Sequence, residues 1–169
     1  MTPEGLTTAR LDMAPLTAAD AEDLFPVFDD PALGRWTGEA PPTDVETLRR
    51  RFAAWEAGPR ENSAERWLNW IMRRREDDRA VGHLQSTVVG HTAAVAWVVG
   101  TAFQGRGFAT EAARALVGWL RDNGIVEIEA SIHPGNVPSQ VVASRTGLQP
   151  TDRIDDGEVV WSFRTGAAS

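Results

Sequence analysis

Two glycines that flank a single arginine, Gly105 and Gly107, stand at the mouth of the most regular amphipathic run in the chain. From Phe108 to Asn123 the apolar residues fall on one face. Phe108, Ala112, Leu116 and Leu120 form one row, and Ala109, Ala113 and Val117 the next. Gly124 supplies a helix stop. The preceding run, Thr92 to Val99 (TAAVAWVV), is apolar almost throughout, as in a strand covered on both faces. A turn of bare backbone therefore joins a buried strand to a long helix. The first turn of a helix leaves its N–H groups unpaired, and the dipole places roughly half a positive charge there. Glycine removes the Cβ that would keep an anion away from those groups. Arg106 adds a guanidinium, and Thr110 a hydroxyl one turn in. The pattern predicts a phosphate cradle. Three ligand classes fit it: a coenzyme pyrophosphate, a dinucleotide and a mononucleotide.

Composition removes several chemistries. All 17 cationic residues are arginine, so no side-chain amine is present to form a Schiff base. The absence of cysteine excludes thiol nucleophiles, disulfides and thiolate metal sites. Tyrosine is absent as well, so no phenol can serve as an acid. The histidines His83, His91 and His133 have no metal-ligand spacing, and no metal is expected. A net charge of −7 with no basic block argues against a nucleic-acid partner. No stretch approaches ~18 consecutive apolar residues, and no secretory leader opens the chain, so the expectation is a cytoplasmic protein with no membrane partner.

The length suits one domain, 1–169, with a core from about 6 to 164. Leu6 to Met13 alternates as a strand. Thr17 with Asp20 forms a helix-start arrangement, and Pro26 is expected to interrupt the helix that follows. Residues 29–42 (DDPALGRWTGEAPP) are predicted to be loop. Thr43 and Glu46 form a second start signal for a helix ending at Gly58-Pro59. Trp67 to Arg75, Ala80 to Val89 and Thr92 to Val99 are predicted strands. After the glycine turn and its helix come a strand over Ile125 to Ile132, a short helix over Asn136 to Thr146 and a hairpin turning at Asp155-Asp156-Gly157. The order predicts a mixed α+β domain around one sheet.

A nucleotide P-loop fails for want of lysine. The dinucleotide fingerprint would read Gly105, Gly107 and Thr110, lacking its third glycine. Glu127 and Glu129 do lie about twenty residues on, where a ribose hydroxyl would want them. Too few βα units follow, however.

Gln104-Gly105-Arg106-Gly107-Phe108-Ala109 resembles motif A of the GNAT superfamily of N-acetyltransferases, Q/R-x-x-G-x-G/A. Asn136-Val137-Pro138-Ser139, followed by Ser144-Arg145-Thr146-Gly147-Leu148, resembles that family's N-x-x-S…x-x-x-G-F segment. Within the superfamily the chain looks most similar to the branch of ribosomal-protein-alanine N-acetyltransferases. The resemblance implies a single domain with a twisted, mixed, mostly antiparallel sheet of about seven strands and helices on both faces. It implies acetyl-CoA as cofactor and a primary amine, on a peptide terminus or a small molecule, as acceptor. The backbone at Val98 and Val99 would meet the pantetheine arm as an added strand would, and a bulge near Val98 would polarise the carbonyl. The amides of Gln104, Gly105, Arg106, Gly107, Phe108, Ala109 and Thr110 would hold the pyrophosphate. Asn136 would bond the arm, and Ser139 would sit near the sulfur.

Two residue types depart from the family's pattern. Many relatives protonate the departing thiolate with a tyrosine, for which Ser139 is the substitute here. An acidic residue common early in the strand before motif A is replaced by Ala94. His83, on a strand face with Gln85, is the candidate general base, with Asn69 and Glu39 behind it. Trp36, in the loop beside Arg35 and Glu39, is the candidate wall of the acceptor pocket, with Glu39 a second acceptor residue. Two other readings compete with transfer: a domain that holds coenzyme A without transferring, and a nucleotide-dependent oxidoreductase. A homodimer is a common outcome for small enzymes.

Overall fold

In a computed structural model the structure describes residues 1–164. The chain builds one eight-stranded sheet, in the order β1-β2-β3-β4-β5-β6-β8-β7. The strands are β1 (Leu6–Thr7), β2 (Leu11–Pro15), β3 (Glu65–Arg74), β4 (Ala80–Val89), β5 (Thr92–Val99), β6 (Glu127–Ile132), β7 (Gln149–Asp155) and β8 (Glu158–Arg164). The helices are α1 (Ala21–Phe28), α2 (Pro31–Thr37), α3 (Val45–Ala57), α4 (Phe108–Asp122) and α5 (Val137–Arg145). The strand beyond the expected seven comes from a break in the first one. Leu6 to Met13 is not a single strand but a tight hairpin, in which Leu6 pairs with Met13.

The helices cover both faces and create two cores. Alternate residues of β3 divide between them, as a pleated strand requires, and β4 adds to the larger one. Leu84 and Val88 point into the larger core, with Trp70, Leu116, Leu120 and Ile128, under α4 and α5. Ile71 faces the smaller core beneath α1, α2 and α3, with Leu24, Leu33, Leu48 and Phe52. Trp70 and Trp119 meet edge to face at 5.5 Å in the larger core. On α4 the predicted row of Phe108, Ala112, Leu116 and Leu120 is buried.

Three local expectations are corrected. Residues 31–37 are helical, not loop. Asp30 caps that helix by accepting from Ala32 N, Pro31 occupies the first turn, and Gly38 ends it at φ +69°. Pro26 lies inside α1 rather than interrupting it; the helix ends two residues later, and buried Leu24 and Val27 hold it to the sheet. The cap of α3 is Asp44, whose carboxylate accepts from Thr47 N at 2.7 Å, one residue beyond the expected Thr43.

All neighbouring strands run antiparallel except β5 and β6. That parallel pair joins only Thr92 to Ala94 with Glu127 to Glu129. Beyond it β5 continues to Val99 and β6 to Ile132 with no mutual pairing, so the sheet opens as a wedge. A dinucleotide-binding fold needs several consecutive parallel strands, and among the described strands only this pair is parallel.

Candidate functional site

The glycine turn lies at the open end of the wedge. A short 3-10 turn, Thr101–Phe103, leads from β5 into it. Gly105 and Gly107 both adopt left-handed backbone, at φ +74° and +81°. L-residues rarely enter that region, so this loop shape depends on glycine at both places. Gly107 is also the residue from which α4 starts. Among the described residues, the amides of Gly105, Arg106, Gly107, Phe108, Ala109 and Thr110 meet no protein acceptor. Six consecutive free donors, at the positive end of a 15-residue helix, fit an anionic group. An ideal Cβ at Gly105 would meet open space, so the left-handed backbone, not crowding by protein, explains that glycine.

Gln104 differs from its neighbours. Its side chain donates to the Val99 carbonyl at 2.9 Å, and its amide donates to Thr101 at 3.4 Å. It ties the loop to the end of β5 and takes up one lone pair of Val99. The expected bulge near Val98 is absent. β4 and β5 pair in continuous register from Gly82–Val99 to Val89–Thr92. The irregularity sits one strand away, where Val81 is the extra residue between Gly82 and Ala80 opposite Met72 and Arg73. Gly82 is required there: a Cβ would stand 2.1 Å from the Val98 carbonyl oxygen.

α5 enters beside the wedge. Asn136 is its cap, accepting from the Ser139 amide at 3.3 Å. That bond commits the Asn136 side-chain oxygen to the start of α5; separately, the half-buried Ser139 hydroxyl meets no protein partner among the described residues. An open groove of about 740 Å³ continues from Gly107 and Thr110 along α4. It carries three guanidinium groups, from Arg10, Arg114 and Arg145, against the single carboxylate of Glu111. Burial pushes the Glu111 carboxyl up, but hydrogen bonds from Thr8 and from Arg10 bring it below its ordinary value, so it is ionised. Sequence reading missed this groove because its walls come from β1–β2, α4 and α5.

On the opposite face the candidate residues are drawn together differently. His83 is 4 % exposed. Its ring lies nearly parallel to Trp55 at 5.1 Å, tilted against Phe28 at 5.9 Å, and Nε2 meets Asn69 Oδ1 at 3.0 Å. Burial lowers its pKa to about 3, so the ring is neutral at neutral pH. Such a histidine is a poor proton acceptor and has no open side toward a substrate. His83, the candidate general base, is thus a buried ring held by aromatic neighbours and by Asn69. Its partner proves to be the side chain of Asn69, one of the two other residues considered for the role.

Trp36 lies on α2, half-buried, with its ring 5.5 Å from that of His133 at the end of β6. α2 therefore spans the open wedge and touches its far bank. Glu39 is exposed and pairs with Arg51 at 3.0 Å. Both line a narrow cleft with Phe28, Leu33, Thr37 and Val98. Glu39 and Val98 thus share one cleft, while Trp36 forms a separate wall. The Thr101 hydroxyl donates to Asp30 at 2.7 Å, fastening the start of α2 to the loop that leads into the glycine turn. That bond and the Ala32 amide lower the Asp30 pKa. Among the described residues, no helix is long and apolar enough to cross a membrane.

The family profile described as "Acetyltransferase (GNAT) domain" matches residues 10–149. The chain is 25% identical over 159 residues to the protein named "Uncharacterized N-acetyltransferase p20" of Bacillus licheniformis, covering 92% of this chain and 88% of that one. Its fold is similar to a GNAT-family acetyltransferase from Bacillus anthracis, with TM-score 0.77, 19% identity and coverage of 95% and 98% of the two chains. It is also similar to RimJ of Mycobacterium smegmatis, solved in complex with CoA-disulfide, with TM-score 0.75, 21% identity and coverage of 92% and 82%.

Proposed function

The chain belongs to the GNAT acetyltransferase family, and from that premise we propose that it moves an acetyl group from acetyl-CoA to a primary amine, on a peptide terminus or a small molecule. The observation that carries this reading is the row of six unpartnered amides, Gly105 to Thr110, at the mouth of the wedge. The bound cofactor supplies a thioester, which is the acyl donor.

In this reading the free amides of the glycine turn would hold the diphosphate. The unpaired edge of β5 beyond Ala94 offers main-chain groups to an extended ligand arm at Val99, whereas the expected second residue, Val98, turns its backbone toward β4. Asn136 orients that arm from the start of α5. The Ser139 hydroxyl, free of any protein partner, would pass a proton to the departing sulfur and regain one from water, so that the proton shed by the amine is balanced by the one the thiolate takes up. Trp36 and His133 close the acceptor side of the wedge, and Glu39 draws a cationic amine toward the cleft by Coulomb attraction. With His83 sealed, the amine loses its proton to water or to an exposed carboxylate. Direct attack needs no covalent enzyme intermediate, which accords with a chain without cysteine.

Isothermal titration with acetyl-CoA, followed by free-thiol release with a panel of amines, tests the reading. Saturable binding and thiol release with at least one amine are expected. Absence of binding at millimolar ligand would overturn it. A second reading is favoured by the missing tyrosine and the buried histidine: a domain that holds coenzyme A without transferring. Binding with no thiol release from any amine would select it.

A further inference from the structure

We infer that Arg10, in the turn between β1 and β2, is a positioning residue for the diphosphate cradle. The inference rests on the cofactor reading above. Its basis is the geometry of one peptide group. The bond between Arg106 and Gly107 is trans, so the Arg106 carbonyl and the Gly107 N–H point to opposite sides of one plane. Arg10 Nη1 donates to that carbonyl at 2.9 Å. The Gly107 N–H is thereby aimed away from Arg10, to the side where no protein group receives it. A charged donor on the carbonyl also polarises the peptide and strengthens the N–H as a donor.

Arg10, although exposed, is itself held at several points. Its Nε donates to Glu111 Oε2 at 2.7 Å, and its own amide donates to Glu111 Oε1 at 2.8 Å. The Thr8 hydroxyl donates to that same Oε1 at 2.5 Å. The guanidinium lies 4.5 Å over the Phe108 ring. Glu111 stands in the first turn of α4, and Phe108 is its first residue. The turn at Thr8 to Arg10 is thus tied to the helix and, through Arg10, to the loop before it. A Cβ at Gly107 would stand 3.4 Å from Arg10 Nη2, in contact with the guanidinium, which places Arg10 directly beside the cradle.

A residue that merely pins the first hairpin to α4 would, when removed, affect every ligand alike. A residue that aims one amide affects only ligands with a diphosphate. The test is titration of wild type and Arg10→Gln with coenzyme A, inorganic pyrophosphate and pantetheine, beside the unfolding midpoint without ligand. Arg10→Gln is expected to weaken coenzyme A and pyrophosphate by roughly tenfold, with pantetheine unchanged and the midpoint within a few degrees. KM for acetyl-CoA should rise with kcat held. Should Arg10→Gln not fold, Arg10→Lys keeps a cation over Phe108 and a single donor, and is expected to show a smaller loss of the same kind. Equal loss for all three ligands, or no loss, overturns the inference while leaving the cofactor reading intact. Wild type that binds neither coenzyme A nor pyrophosphate overturns both.

Discussion

The two faces of the wedge treat their polar groups in opposite ways. On the face of α4, backbone donors stand open: six consecutive amides have no protein partner, and the nearby Ser139 hydroxyl is free. On the face of α1, α2 and α3, nearly every polar side chain singled out has found another. His83 meets Asn69, Glu39 meets Arg51, and Thr101 meets Asp30. A surface with unsatisfied, pre-aimed donors states the chemistry of its ligand, since an anion is what completes it. A surface whose side chains are mutually satisfied states little, because a ligand must displace an existing contact.

Four changes break or sharpen that contrast. The largest concerns the seam between the two faces. Gly82→Val places side-chain atoms against the Val98 carbonyl, backbone that cannot withdraw. A loss of about 4 kcal/mol or more is expected in denaturant titration. Retained stability would mean that β4 and β5 can separate and that the seam is not rigid. Next, Gly107→Asp sets a carboxylate beside the open amides. Coenzyme A affinity should fall by about a hundredfold or more, read by calorimetry, and an unchanged affinity would remove the anion from the cradle.

The third change isolates the closed face. The folded-state pKa of His83 is depressed to about 3 by burial, so below the ordinary histidine value the unfolded chain binds the extra proton. Stability is therefore complete above about pH 6.5 and declines as pH falls toward the folded value, by up to about 1.4 kcal/mol per pH unit from this group. His83→Gln should flatten that part of the stability–pH curve between about pH 6 and 4. If the wild-type slope persists in the variant, other groups account for it. Smallest is Glu39→Gln, which removes an exposed ion pair with Arg51. It should alter stability by no more than about 0.5 kcal/mol while raising KM for cationic amines if Glu39 draws them in. A large stability change with no effect on KM would make the pair structural.

The open face was the legible one. Glycines at 105 and 107 before a periodic helix are a local pattern, and the left-handed angles at both residues follow from it. The limits of β4 and β5 were equally clear, because turn residues punctuate runs of apolar sequence. The helix at Pro31–Thr37 was missed although Asp30, Pro31 and Gly38 are start and stop signals. Seven residues with a single buried side chain carry no apolar period. The wedge depends on how far two strands more than thirty residues apart stay in register, which no local pattern encodes. Arg10 meets Glu111 across 101 positions, and the Asn69–His83 contact crosses neighbouring strands on a diagonal. Such pairings exist only once the sheet has formed.

A sheet joined across its middle by three residue pairs divides the chain mechanically. Strands β1 to β5 form one plate and β6 to β8 another, with α4 as the bar between them. A slender molecule lodged between the plates would act as a ninth strand, adding to the load that the short pairing, α4 and the shared larger core already carry across that line. Stiffness of the empty and filled protein should then differ most along that line, and the energy of gripping a ligand becomes, in part, the cohesion of the fold.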